Sequence, residues 1–370
     1  MSAMGSSAGA RIGRRDESPS VVREIAFLSN RERSQASQFE ALGGFCATAP
    51  TLVDRPRRPV PSPMHRLARH HGDKGEGMAG GQVTVGVDVG GTRLRVISQD
   101  SEGRRSNVRE IAVPRTVQTL VEALGGLVDE VAQGRTVSRT AIGLPGQTTA
   151  AVPQWVPYLR FLDGAPLASM VTRRVGGGCV LVNDAQATLV AEVHEGSVVG
   201  RSSVVLVAVG TGIGGALMLD GRLVRGARGC AGAFGWLSFD GAVADADHGA
   251  WEQVASGAAL ERLGVTWGGA AAMIDAARDG DGVALEVMDR FGTQLGRGIA
   301  ALASVFDPEV IVLAGGLIVS LDLIEDSLAR AQRQFASPAG RTVPVLAAAL
   351  GTHAGVIGAL RVALETEEIV

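Results

Sequence analysis

The sequence predicts an α/β protein built as a duplicated fold, two lobes with a cleft between them. Three observations predict it. Five apolar runs stop abruptly at a glycine or polar cluster: VGVDVGGTRLRV from Val85, GLPG from Gly143, LVNDA from Leu181, VAVGTGIGGAL from Val207 and VLAGGLI from Val312. A buried strand that delivers a tight turn to the mouth of a cleft reads this way. After residue 80 the chain falls into two halves, each opening with a hairpin across a glycine turn and continuing with alternating strands and helices. Its 370 residues, 46% hydrophobic with 51 glycines, suffice for two domains and a large core.

Residues 1–80 carry RIGRRDES, RPRRPVPSP and RHHGDKGEG, rich in Arg, Pro and Ser. Such a segment buries too little apolar surface to offset its ordering entropy. The expectation is a disordered tail or a mis-assigned start, with Met78 as the candidate true start and a transient amphipathic helix between Ser18 and Leu42. From there the elements follow in order. VTVGV (83–87) and LRVIS (94–98) read as strands joined by the turn DVGGTR. Thr116 to Gln133 has helical spacing, with Leu120, Leu124 and Val128 on one face. TAIGL (140–144) and CVLVN (179–183) are strands, the second followed by a helix from Ala185 to Glu195. VVLVAVG (204–210) and GGALMLDGRLV (214–224) make the second hairpin. Helices are expected over Ala258–Leu263 and Gly282–Phe306, a strand at VIVLAGG (310–316), and a helix from Leu321 to Phe335. VPVLAAA (343–349) closes the strands and Ala354–Glu365 is the last helix. The expected lobes are 81–196 and 197–353. Residues 354–370 form a final helix and tail, the helix packing back on the first lobe.

A net charge of −3 gives no global basic field for nucleic acid or an anionic membrane. Lys74 is the only lysine. Cys46, Cys179 and Cys230 are isolated and odd in number, which fits a reducing cytosol better than a disulfide framework or a metal knuckle. No apolar stretch is long enough to span a bilayer, and the N-terminus lacks the apolar core of a signal peptide. A cytoplasmic protein without membrane or nucleic-acid partners is expected, with a homodimer left open. Glycine belongs where backbone must come close to phosphate oxygens. Two such turns flanking Asn183-Asp184 suggest a nucleotide held against a hydroxyl-bearing substrate.

In these residues the chain resembles the ROK family, the sugar kinase and repressor group of the actin-like ATPase superfamily, over about residues 82–366. DVGGT (88–92) matches the first phosphate loop, and GLPG (143–146) and PYLRFLDGAPL (157–167) match the stretch that usually reads PNLPGWDGxPL. NDA (183–185) matches the catalytic strand end, GTGIGGA (210–216) the second phosphate loop and AGG (314–316) the adenosine motif. GARGCAGAFGW (226–236) and WEQVASGAAL (251–260) match the sugar and metal region, with departures. The resemblance implies the actin-like (ribonuclease H-like) fold, ATP with Mg²⁺, and phosphorylation of a sugar or cyclitol hydroxyl.

The resemblance also implies roles. Asp88, Gly90, Gly91 and Thr92 would face the γ-phosphate, with Asp88 near Mg²⁺ through water; read alone, they make an ordinary hairpin turn. Gly210, Thr211, Gly212 and Gly214 would hold phosphate oxygens, and Gly315 and Gly316 would approach adenosine. Asp184 would accept the hydroxyl proton, although an Asp at that point also suits a helix cap. Asn183, Glu252 and Gly146 would bind substrate, and Glu252 equally suits the first turn of a helix.

The departures bear on substrate and zinc. Where the family carries GExGH, this chain has Gly232-Ala233-Phe234-Gly235-Trp236, and Tyr158 replaces the usual Asn. Val243, Asp245 and Ala250 occupy the cysteine positions of the family's zinc cluster, so no zinc site is expected. Asp245, Asp247 and His248 are the weaker candidates for a substitute metal site. A pocket bounded by Ala233, Trp236 and Tyr158 is less polar, which points away from plain glucose towards a modified hexose or a cyclitol. Two other readings stay open: a sugar-responsive regulator, against which the RPRRPVPSP run would break a recognition helix, and a non-catalytic sugar-binding module. Polyphosphate stays open as donor.

Overall fold

The computed structural model describes residues 81–149, 151–239, 243–245 and 247–365. The expectations for residues 1–80, including the transient helix and the start at Met78, lie outside the described residues, as do Cys46 and Lys74.

The first half forms a five-stranded sheet of order β3-β2-β1-β4-β7. Its strands are β1 (Gln82–Val89), β2 (Arg93–Asp100), β3 (Arg109–Ala112), β4 (Thr136–Leu144) and β7 (Gly178–Asn183). The small pair β5 (Gln147–Thr148) and β6 (Pro153–Trp155) stands beside it. Strand β1 runs antiparallel to β2 and parallel to β4, and β4 runs parallel to β7. Helices α1 (Val117–Ala132), α2 (Leu167–Val175) and α3 (Asp184–Glu195) connect them. Leu120, Leu124 and Val128 are all buried on one face of α1, which accounts for the helical spacing there.

The second half repeats the plan. Its sheet has order β10-β9-β8-β11-β12, from β8 (Val204–Val209), β9 (Ile213–Leu219), β10 (Arg222–Val224), β11 (Val310–Ala314) and β12 (Val345–Ala347). The pairing senses match those of the first sheet: β8 is antiparallel to β9 and parallel to β11, which is parallel to β12. Helices α4 (Glu252–Ala255), α5 (Gly257–Leu263), α6 (Ala270–Arg278), α7 (Gly282–Phe306), α8 (Glu325–Phe335) and α9 (Ala354–Leu364) complete the chain. Among the described residues no helix is long and apolar enough to cross a membrane.

Three boundaries differ from the expectations for physical reasons. The stretch 214–224 is two strands, because Asp220 and Gly221 both take positive φ (50° and 77°) and turn the chain back on itself. Residues 316–323 wind as 3₁₀ helix, so α8 starts only at Glu325, where Glu325 and Asp326 supply the acidic first turn. Strand β12 is limited to Val345–Ala347, the residues that pair with Ile311, Val312 and Leu313.

Each sheet has its own apolar core, with Val85, Leu94, Leu124 and Ile142 in one and Val207, Phe291, Leu295 and Ile311 in the other. A third cluster spans the two. It joins Ala141, Val182, Ala187 and Val190 to Val204, Leu206, Ala216 and Val312. Helix α3 therefore lies between the sheets, and α9 packs against α3, β1 and β4. In both sheets the parallel strands end at the same edge, and their terminal turns carry the candidate site.

Candidate functional site

Four strand ends position the site. Strand β1 delivers Asp88 and the turn Gly90–Gly91, closed by the Gly90 amide donating to the Arg93 carbonyl at 2.9 Å. Strand β4 delivers Gly146, β7 delivers Asn183 and Asp184, and β8 delivers Gly210–Gly212. Register places them in neighbouring rows: Asp88 faces Gly143, and Leu144 faces Asn183.

Asn183 is fully engaged at its carbonyl end. It is the N-cap of α3, its Oδ1 accepting from the Ala185 and Gln186 amides at 3.0 and 3.2 Å. Its Nδ2 donates to the Gly146 carbonyl at 3.0 Å. One Nδ2 hydrogen remains to point elsewhere, since a carboxamide carries two donors. The helix cap is thus Asn183, and the reading of Asp184 as the cap is corrected. Asp184 is the first helical residue, its Oδ1 accepting from the amide of its neighbour Ala185 at 2.8 Å. Gly146 suits its place because φ is +82° and a Cβ there would overlap the Trp155 carbonyl.

Asp88 sits at the end of a row of charges that runs across β1, β2 and β3. It is 8% exposed, and Arg95, its register partner on β2, donates to its Oδ2 at 3.2 Å. Arg95 is held from the far side by Glu110, its own register partner on β3, at 2.6 Å. Burial pushes the Asp88 carboxyl up to about 6, the neighbouring Asp184 pushes it the same way, and Arg95 opposes both. Burial also raises Asp184 above the usual carboxylate range, against the Ala185 amide. Two carboxyl groups lifted by burial, one of them also by the other's charge, form a place at this edge that favours a cation. That donor chemistry fits Mg²⁺, which takes one or two carboxylates and completes its shell with water and phosphate oxygens.

The glycines of the candidate phosphate and adenosine turns divide into two kinds. A Cβ at Gly210, Gly214 or Gly316 would meet nothing within 4 Å, so their backbone faces open space. Gly91 is nearly so, with only the Tyr158 Cβ at 3.7 Å. Gly212 and Gly315 are glycines for packing reasons: a Cβ would strike the Glu252 carboxylate or the Val209 backbone respectively. Thr92 and Thr211 are exposed on their turns. The second turn is braced by α5, whose first amides, Gly257 and Ala258, donate to the Gly210 and Thr211 carbonyls at 2.8 and 3.1 Å.

Glu252 Oε2 accepts from the Ile213 amide at 2.8 Å, which ties the start of α4 to the second turn. Ala233 precedes the short 3₁₀ turn Phe234–Trp236 and Trp236 ends it; both are exposed while Phe234 is buried. Trp236 (46% exposed) and Tyr158 (64%) are large apolar groups left open to solvent. Tyr158 also holds φ at +65°, a left-handed conformation that costs a bulky residue about 1 kcal/mol or more. That strain beside Gly91 was not legible in the sequence, because the signal is conformational.

The zinc positions do not suit zinc. Val243 is exposed, Ala250 is buried and neither carries a donor; Trp236 offers only an indole N–H. Asp245 Oδ1 instead accepts from the Asp247 and His248 amides at 2.8 and 2.7 Å and faces His248 Nδ1 at 3.1 Å, an Asx turn that accounts for this cluster. Among the described residues no group of three His, Cys, Asp or Glu is placed to hold a metal ion.

The ROK family model matches residues 84–366. A glucokinase of Streptomyces coelicolor is 31% identical over 316 residues, covering 78% of this chain and 99% of the relative. An N-acetylmannosamine kinase of Yersinia pestis is 30% identical over 289 residues, covering 74% of this chain and 96% of the relative. Among solved structures, a ROK family glucokinase from Streptomyces griseus, in complex with glucose and AMPPNP, superposes with a TM-score of 0.65 at 30% identity, covering 76% of this chain and 99% of that one.

Proposed function

Since this chain belongs to the ROK family, we propose that it transfers the γ-phosphoryl group of ATP to a hydroxyl of a sugar or sugar-like polyol. The observation that carries this reading is the placement of Asp184. It stands at a strand end with Oδ1 accepting from its neighbour's amide, near enough to Asp88 to raise that carboxyl, and in chain order between the turns at 90–91 and 210–212.

In this reaction the substrate hydroxyl oxygen forms a bond to the γ-phosphorus as the bond to the β–γ bridging oxygen breaks. The hydroxyl proton passes to the Asp184 carboxylate. The burial that raises Asp184 brings its proton affinity closer to that required of a base near neutral pH. The spare Nδ2 hydrogen of Asn183 orients a substrate oxygen, and its other hydrogen holds the Gly146 turn. Glu252 uses Oε2 on the second turn and turns Oε1 to the substrate. The Gly90 and Gly210 amides close their own turns onto the Arg93 and Gly212 carbonyls, so the open backbone at Gly91 and Gly214 receives phosphate oxygens, and Gly315–Gly316 borders the adenosine. Asp88 would hold Mg²⁺ through water, and a bound ion would supply positive charge against the transferring phosphates. No zinc is required.

The pocket favours a modified hexose or a cyclitol over plain glucose. Ala233, Trp236 and Tyr158 line it with apolar surface where Glu, His and Asn would offer hydrogen bonds. The test is turnover of ATP against a panel of hexoses, amino sugars and cyclitols, with polyphosphate as a second donor arm. Phosphorylation of one panel member that disappears in Asp184→Asn supports the proposal. ATP and sugar binding without turnover of any member would sink it in favour of a binding module or regulator.

A further inference from the structure

Glu192 is a carboxylate with 0% exposure, far from the reacting groups, and it holds two segments that are remote in sequence. Its Oε2 accepts from the Ser197 amide at 2.8 Å and the Ser197 hydroxyl at 3.0 Å. Its Oε1 accepts from the Ala349 and Leu350 amides at 3.0 and 2.9 Å, and Oε2 shares the Ala349 amide at 3.1 Å. Ser197 lies on the segment that leads from α3 to β8, where the chain leaves the first sheet for the second. Ala349 and Leu350 lie on the segment from β12 to α9, where it returns. One buried side chain therefore grips both connections between the lobes. It does so from α3, the helix that begins with Asp184.

We propose that Glu192 is a positioning residue: by clamping both interlobe connections to the end of α3, it fixes the separation between Asp184 and the second phosphate turn. This rests on the reading of Asp184 as the base. The lever is the helix itself. Eight residues separate Glu192 from Asp184, about 12 Å of helix at ~1.5 Å per residue. A tilt of about 5° at the clamped end moves the other end by about 1 Å, and a misplacement of about 1 Å can cost roughly 10²-fold in rate. The approach of α3 to α9, so close that a Cβ at Gly358 would overlap the Ala187 carbonyl, gives the helix a fixed neighbour to tilt against.

Glutamine separates the two halves of the clamp. Its single carbonyl oxygen can serve one connection, while its amide nitrogen meets backbone N–H groups on the other. The experiment compares the unchanged protein with Glu192→Gln and Ser197→Ala. It measures kcat on the best panel substrate, the Kd of ADP, the melting temperature, and hydrogen exchange at the Ser197, Ala349 and Leu350 amides. For Glu192→Gln we expect kcat to fall about tenfold or more, ADP affinity to stay within about twofold, and exchange to quicken at one connection. Ser197→Ala keeps the backbone donor and should lose about two- to threefold in kcat. Unchanged kcat in Glu192→Gln overturns the proposal. So does a joint fall of kcat and ADP affinity tracking the unfolded fraction, which would mark a purely structural role. If Glu192→Gln does not fold, Ser197→Ala decides by the same split. If the unchanged protein phosphorylates no polyol, the kinase reading falls separately. The clamp is then judged by a spin-label distance between α1 and α8. A distribution broadened in Glu192→Gln supports it, and identical distributions overturn it.

Discussion

Arg95 and Asp88 face each other as register partners across the β1–β2 hairpin, and the guanidinium donates to the carboxylate at 3.2 Å. Glu110 continues the row onto β3. This places a resident cation beside the strand end where two carboxyl groups meet. Arg95 opposes the burial and the Asp184 charge that together lift Asp88. Removing it as Arg95→Met should raise the Asp88 proton affinity further. The acid limb of kcat/KM against pH, which reports the free enzyme, is expected to move to higher pH. The expected direction follows from the sign: with Arg95 absent, more of Asp88 is protonated between about pH 6 and pH 7. An unshifted limb would show that Asp88 does not titrate in the activity profile.

Asp184→Asn should be slower and sturdier at once. If Asp184 is the proton acceptor, kcat should fall by roughly 10²–10⁴, while ADP binding, which the proposed function assigns to turns in the other lobe, stays near normal. Stability should move the other way. Asp88 is raised from 3.8 to about 6 in the folded state, so ionising it disfavours folding. Its contribution is most favourable below pH 3.8, diminishes as pH rises through about 6, and stays diminished above. Taking away the Asp184 charge relieves part of that loss, by ~0.5–2 kcal/mol at pH 7 to 8. Melting temperature against pH should therefore show a gain for the variant at pH 7 to 8 that fades towards pH 4. A variant melting lower than the unchanged protein at pH 8 would contradict the charge argument.

The duplication was legible because each half announces itself with an apolar run that stops at a glycine turn. VVLVAV before Gly210 and VTVGVDV before Gly90 are strands buried along nearly their whole length. Strand β3 left no such mark, since Arg109, Glu110 and Ala112 are exposed on a sheet edge. Helix α2 is only nine residues with three of them buried, too short for its spacing to stand out. At the site, the NDA segment marked the candidate residues but not which of them caps the helix. Asn and Asp are both good caps, and only the geometry assigns that task to Asn183. Glu192 had no local signal at all. The amides it binds at residues 349 and 350 are 157 and 158 positions away, and a carboxylate on a helix ordinarily reads as a solvated face.

Zinc should be absent in stoichiometric amount. The four positions concerned hold Trp236, Val243, Asp245 and Ala250, and the one carboxylate among them is already bonded to the Asp247 and His248 amides. Those bonds also hold Asp245 below the usual carboxylate range. Metal analysis of the purified protein should find less than about one equivalent, and a chelator should leave its melting temperature unchanged. One tightly held zinc per chain would mean that this loop rearranges around a metal.

Glucose should be a poor substrate, and restoring the missing polar pair should improve it. The turn Phe234–Trp236 is anchored by buried Phe234 and by Gly235, which lies against the Glu252 side chain. Ala233 and Trp236 therefore flank a fixed point next to Glu252, and substitution there changes chemistry more than backbone. Neither offers an acceptor for a sugar hydroxyl. Each buried hydroxyl left without a partner should cost roughly 1–3 kcal/mol, so two could cost a factor of hundreds or more in kcat/KM. The double change Ala233→Glu with Trp236→His should raise kcat/KM for glucose and lower it for the best panel substrate. Steady-state kinetics of both proteins on both substrates checks this. Efficient phosphorylation of glucose by the unchanged protein would show that other groups, Asn183 and Glu252 foremost, suffice to hold the sugar, and that Trp236 and Tyr158 do not set specificity.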